Sequence, residues 1–184
     1  MTERNTEAMS FSIRPAQPDD APSIARVHVE SWRSTYKGLM PDETLANLST
    51  ERRETFWRDL IRNHDSSNFV YVAEMDDGQV VGFASGGPER DGHPIYKGEL
   101  YAIYLLQAYQ GQGIGRALVT HVARKLVETG HNNMLVWVLT GNTACHFYEA
   151  MGGKEVARKP LNLNDTKFEE IGYGYDDIRL LAQA

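Results

Sequence analysis

Hydrophobic and polar positions alternate along the chain in two rhythms, and each rhythm marks out elements. Phe11-Ser12-Ile13-Arg14 has a period of two, as a short strand does. Pro18-Asp19-Asp20, with an Asp as N-cap, opens a predicted helix through Ile24, Val27, His28 and Trp32 to about Tyr36, before Gly38. A short helical piece follows Pro41. Ser49 or Thr50 caps a further helix on which Phe56, Trp57, Leu60 and Ile61 share one face. Strands are predicted over Asn68–Met75 and Gln79–Gly87, joined by the hairpin signal Asp76-Asp77-Gly78, and Pro88–Pro94 reads as a polar loop. Glu99–Leu106, rich in Leu, Ile and Tyr, suits a largely buried strand. Beyond a turn carrying Gly111, Gly113 and Gly115, the positions Ile114, Leu118, Val122 and Leu126 repeat at i+4, the apolar stripe of a helix that ends at Gly130. Met134–Leu139 reads as a buried strand and Thr143–Met151 as a helix stopped by Gly152-Gly153. Lys154–Pro160 and Phe168–Ile178 form a closing strand pair, with Asn164-Asp165 in the turn. Residues 1–10 read as a loose tail and, with no repeat or linker in view, 11–184 as a single domain.

Composition narrows the classes of function. The chain's 184 residues, 41% hydrophobic and 24% charged, suit one soluble domain with a real core. A net charge of −6 argues against nucleic acid as a partner and is compatible with a cationic small molecule. The single cysteine, Cys145, excludes an internal disulfide and fits a reducing compartment. No apolar run is long enough to span a membrane, and the polar N-terminus lacks a signal-peptide core, so a cytoplasmic location is expected. The six histidines show no ligand spacing, so no metal is expected.

Strand, glycine turn and helix from Glu99 to Gly130 make the organising unit. The first turn of a helix carries unpaired N–H groups and the positive end of the macrodipole, and glycines let a phosphate approach them. Two familiar anion loops do not fit. No Lys-Ser or Lys-Thr follows these glycines, as a P-loop requires. The spacing is G-x-G-x-G without a carboxylate about 20 residues on, which argues against a dinucleotide-binding oxidoreductase. Gln110-Gly111-Gln112-Gly113-Ile114-Gly115 instead fits [QR]-x-x-G-x-[GA], with Tyr109 before it. Downstream, Asn142-Thr143-Ala144-Cys145-His146-Phe147-Tyr148-Glu149-Ala150-Met151-Gly152 follows the pattern N-x-A-x-x-F-Y-E-x-x-G.

Together, in this order, these segments resemble the GNAT superfamily of N-acetyltransferases, over most of the chain from about Phe11 to Ile178. The resemblance implies an α/β (α+β) GNAT fold. That fold is a single mixed, mostly antiparallel sheet of about six or seven strands, with helices on both faces and splayed central strands. It implies acetyl-CoA as co-substrate and direct transfer, in a ternary complex, to a primary amine of a small molecule or peptide, by a monomer or homodimer. The alternative is a non-catalytic module that binds and senses acyl-CoA. Two residues depart from the family pattern, Gln107 where a Pro is usual and Gly153 where a Phe is frequent.

By the same resemblance, backbone groups near Ile103, Tyr104 and Leu105 would pair with the pantetheine arm. Gln110, Gly111, Gln112, Gly113, Ile114, Gly115 and Arg116 would hold the diphosphate, and Asn142 would contact the cofactor or cap the following helix. Transfer to an amine poses two proton problems, since an alkyl ammonium titrates near 10 and a thiol at roughly 8.5. Tyr148 is the expected acid toward the leaving sulfur, its bland reading being a core aromatic. Glu99 is the candidate base, against a solvated strand-end charge or a water relay. Glu30, Trp32 and Tyr36 are the visible candidates for the acceptor site, where Trp and Tyr could box an ammonium. Cys145 reads as a small packed thiol.

Overall fold

The computed structural model describes residues 10–63, 67–163 and 166–184. The expected tail, apart from Ser10, and the Asn164-Asp165 turn lie outside the described residues. Seven strands, β1 (Phe11–Pro15), β2 (Phe69–Met75), β3 (Val80–Pro88), β4 (Gly98–Leu105), β5 (Met134–Leu139), β6 (Lys154–Leu163) and β7 (Thr166–Tyr175), form one sheet in the order β1-β2-β3-β4-β5-β7-β6. Every neighbouring pair is antiparallel except β4–β5. The helices are α1 (Ala21–Thr35), α2 (Asp42–Ala46), α3 (Thr50–Arg62), α4 (Ile114–Glu128) and α5 (Ala144–Ala150).

Element types match the sequence reading, and the shifts at their ends have local causes. Pro18–Asp20 forms a separate 3-10 turn, and the first helix starts at Ala21. The Asp20 carboxylate is held there by the Gln17 N–H at 2.7 Å and by Arg14. Of the closing strands, β6 runs on past the expected Pro160 to Leu163, while β7 starts and ends earlier than the expected Phe168–Ile178. Pro160 is tolerated within β6 because β6 is an edge strand, where a missing N–H leaves no ladder bond unmade.

The α4 stripe packs on one face of the sheet. Ile114, Leu118, Val122 and Leu126 are fully buried there, each contributing about 1.5–3 kcal/mol by burial. On the other face α1 and α3 bring Ile24, Val27, Trp57 and Ile61 against Val72 and Phe83. A third, smaller cluster joins Tyr36, Met40 and Leu45 to Leu139 and Phe168, seating the chain after α1 against the β5–β7 edge.

The centre of the sheet is parted. β4 and β5 pair over three residues only, Gly98–Leu100 with Met134–Val136. At that point the β3–β4 register slips: Ser85 faces Ala102 while Gly86 faces Leu100, which leaves Tyr101 as the extra residue of a β-bulge. A bulge bends its strand and strengthens the local twist. β4 therefore turns away from β5 at Tyr101, and the residues from Tyr101 to Leu105 change from buried to half-buried.

Candidate active site

The gap between the parted strands is a cleft of about 690 Å³, within the range of small-molecule sites. Its walls are Tyr101–Leu105 of β4 and Val136–Val138 of β5. Backbone N–H and C=O groups need partners when buried, and here one edge of each strand has left its ladder. An extended ligand carrying amides can supply them.

At one end the cleft meets the N-terminus of α4. Gly111 and Gly113 have φ of 75° and 85°, a left-handed conformation that L side chains rarely adopt, and Gly113 is the N-cap residue. A Cβ built at either would touch nothing within 4 Å, so the turn is open toward the space a ligand would fill. Arg116 is exposed on the first turn of the helix, adding a cation to the unpaired N–H groups.

In the middle of the cleft three phenols approach one another. Tyr148, on α5, is 5% exposed and lines the wall. Burial, then the neighbouring Tyr36, Tyr175 and Cys145, pushes its pKa well above 10, so its hydroxyl is a neutral donor. The Tyr36 and Tyr104 hydroxyls lie 3.4 Å apart. Burial also raises both of these phenols, with their mutual contact raising Tyr104 and lowering Tyr36. Asn142 is buried at the same point. Its Oδ1 accepts the Ala144 N–H at 2.9 Å and opens α5, and its side chain lines the cleft together with Tyr36. The two readings of Asn142, helix opening and cleft contact, are compatible in one geometry.

Behind Tyr104 lies an aromatic wall. His28 stacks on the Tyr104 ring at 5.1 Å, and its Nδ1 accepts the Trp57 indole N–H at 3.1 Å. Trp32 packs edge-on to Tyr36 at 5.0 Å.

Of the residues expected from sequence to meet the cofactor, Ile103, Tyr104, Leu105, Gln110, Gly111, Gly113, Gly115, Arg116 and Asn142 line the cleft. Gln112 and Ile114 do not. The Gln112 amide folds back on the Ala108 carbonyl, and Ile114 is fully buried in the core. Of the acceptor candidates, Tyr36 lines the cleft, and Trp32 supports it from behind. Glu30 is not brought to the cleft: it sits on the exposed face of α1 beside Arg26, because the helix turns that position away from the sheet.

Glu99 is placed apart from the cleft lining. It is 2% exposed. Arg90 grips it through Nη2 at 2.5 Å and Nε at 3.2 Å, and the Arg90 backbone N–H adds a third bond at 3.1 Å. A carboxylate held in this fork is committed to its partner. Arg90 in turn lies 4.0 Å over the Tyr101 ring, so the pair braces the bulge where the strands part.

Sequence reasoning missed Trp137, which lines the cleft from β5 and lies flat over Gly172 of β7. It had no local signal, being one apolar residue in an apolar strand. Among the described residues no group of three or more His, Cys, Asp or Glu could hold a metal ion, and no helix is long and apolar enough to cross a membrane.

The model of the Acetyltransferase (GNAT) family matches residues 29–153, which include the bulged strand, the glycine turn and Tyr148. The chain belongs to the GNAT family of acetyltransferases. An uncharacterised N-acetyltransferase of Bacillus subtilis, YuaI, is 39% identical over 92% of this chain and 95% of its own. Among solved structures, a GCN5-related N-acetyltransferase of Rhodopseudomonas palustris superimposes with a TM-score of 0.71 at 20% identity, covering 90% of this chain and 96% of its own. PaiA N-acetyltransferase of Thermoplasma acidophilum, solved in complex with coenzyme A, does so with a TM-score of 0.64 at 21% identity, covering 89% and 98%. The parted seven-stranded sheet is the GNAT fold.

Proposed function

We propose that residues 11–184 form one domain that moves the acetyl group of acetyl-CoA directly to the primary amine of a small molecule or peptide, in a ternary complex. One observation carries this reading. A single cleft joins a glycine-lined helix N-terminus, two strand edges that have left their ladder, and a buried neutral phenol. These are the complements of a diphosphate, an amide-bearing arm and a thioester.

In this mechanism the backbone N–H groups of residues 111–116 bind the diphosphate, with Arg116 beside them. Strand edges Tyr101–Leu105 and Val136–Val138 take up the pantetheine amides as an added strand would. A freed β4 N–H polarises the thioester carbonyl and stabilises the charge that develops there. Tyr148 gives its proton to the departing sulfur, and its raised pKa keeps that proton in place until it is needed. Tyr36 and Tyr104 shape the side from which the amine arrives. The free thiol of Cys145 fits a cytoplasmic setting.

Purified protein is to be incubated with acetyl-CoA and a panel of primary amines, measuring thiol release and N-acetyl product. Amine-dependent release with product in equal amount supports the proposal. Coenzyme A binding in calorimetry without product from any amine would point to a sensing module instead.

A further inference from the structure

Glu99 is held in a fork by Arg90, and β7 carries a second carboxylate, Glu170, near Tyr36 of the cleft wall. Glu170 pairs in register with Leu139 of β5 and Lys159 of β6, so its side chain shares their face of the sheet. That is the face of Trp137 and of the Tyr36 cluster, where an amine would arrive. Its side chain is 18% exposed. Among the described residues its nearest cation is the Lys159 ammonium at 3.9 Å, beyond hydrogen-bond distance, and Lys159 is itself committed to Asp91 at 2.6 Å.

The surroundings already hold one ammonium. Lys159 Nζ lies 4.2 Å from the centroid of Trp137, which lines the cleft, with carboxylates of Asp91 and Glu170 on either side. An aromatic face with carboxylates around it is the standard receptor for an alkylammonium. Arg90 neutralises Glu99, and the Lys159 ammonium is shared unequally, hydrogen-bonded to Asp91 at 2.6 Å and only ion-paired to Glu170 at 3.9 Å.

We propose that Glu170 is the acceptor carboxylate of this enzyme: it receives the ammonium of a cationic alkylamine beside Trp137 and takes its proton. The assignment rests on the acetyltransferase reading above and names its substrate class. One ammonium proton passes to Glu170 and on to solvent. The freed lone pair forms the new C–N bond with the thioester carbonyl carbon, and the C–S bond breaks. The sulfur takes a proton from Tyr148, which regains one from the nitrogen of the new amide. Burial raises the Glu170 carboxyl, Lys159 lowers it, Asp91 and Glu99 raise it and Arg90 lowers it. Tyr36 is the further titratable group that faces it. A raised carboxylate is a better match to an ammonium than a free one.

The test compares alkylammonium probes (n-butylamine, 1,4-diaminobutane and an alanyl peptide) with hydroxylamine, which is already unprotonated at neutral pH and needs no base. Glu170→Gln is expected to lower kcat/KM for the alkylamines about 100-fold and to remove the acidic limb of their pH profile. Transfer to hydroxylamine and calorimetric affinity for coenzyme A stay within about threefold, the scatter expected of an independent site. Lys159→Met moves the acidic limb to higher pH, since Lys159 holds Glu170 down. Equal losses with both kinds of nucleophile, or coincident pH profiles, overturn the assignment. So does a wild type that acetylates hydroxylamine but none of the three alkylamines. A wild type that neither binds coenzyme A nor transfers to any nucleophile overturns the acetyltransferase reading instead, and does so before a variant is made.

Discussion

Lowering the pH from 7 to 4.5 should cost this protein stability through one buried ring, His28. It is 5% exposed and enclosed by Trp32, Trp57, Phe83 and Tyr104. The Trp57 indole can only donate, so His28 Nδ1 must accept, and the proton of the neutral ring sits on Nε2. Among the described residues Nε2 has no hydrogen-bond partner. Charging the ring would break the Trp57 bond and leave a cation buried near Arg53. Burial first, and Arg53 second, push the His28 pKa down to about 3. An unfolded histidine titrates near 6.5. Between those values the unfolded chain binds one proton more than the native one. Stability is therefore intact above about 6.5 and falls by about 1.4 kcal/mol for each unit of pH below it. At pH 4.5 the loss is about 2.7 kcal/mol, a large share of a typical 5–15 kcal/mol. Urea unfolding of wild type and His28→Phe at half-unit steps isolates the effect. The variant is less stable at pH 7, because the Trp57 N–H loses its acceptor, but its slope with pH is shallower by one proton. Parallel slopes between pH 5 and 6.5, or a His28 ring that titrates near 6.5 by NMR, would refute the reasoning.

Three further outcomes are expected. Tyr148→Phe lowers kcat by at least about 100-fold, the lower end for a lost general acid, while coenzyme A affinity by calorimetry changes less than twofold. Gly113→Ala forces a side chain into φ of 85°, costing about 1–2 kcal/mol, and if the turn relaxes to relieve that strain, coenzyme A binding weakens roughly tenfold. Gly172→Ala puts a Cβ 2.9 Å from the Trp137 ring, so the ring and the Lys159 ammonium over it must move. That change raises KM for the amine while leaving KM for acetyl-CoA nearly unaltered, as steady-state kinetics with either substrate varied will measure.

What could be read from the sequence was what local pattern controls. The glycine turn announced itself because left-handed backbone at Gly111 and Gly113 demands that residue type. Tyr148 sat in a motif that ties it to the helix after the parted strand. The pairing of Glu99 was not legible because its partner, Arg90, lies nine residues upstream in a loop with no pattern of its own. The bulge at Tyr101, which opens the cleft, leaves no mark in an apolar run where every residue suits a strand. Glu170 was invisible for a topological reason. In Lys167-Phe168-Glu169-Glu170-Ile171 it looks like any solvated strand glutamate, and only the insertion of β7 between β5 and β6 sets it between Leu139 and Lys159. Edge position likewise decided that Pro160 continues β6 instead of ending it.

The crystal structure of the protein grown with coenzyme A tests the mechanism at its root. The diphosphate should accept hydrogen bonds from backbone N–H groups of residues 111–116, with the pantetheine arm between β4 and β5 and its sulfur facing the Tyr148 hydroxyl. A ligand bound elsewhere, or a cleft closed by its own side chains, would contradict it.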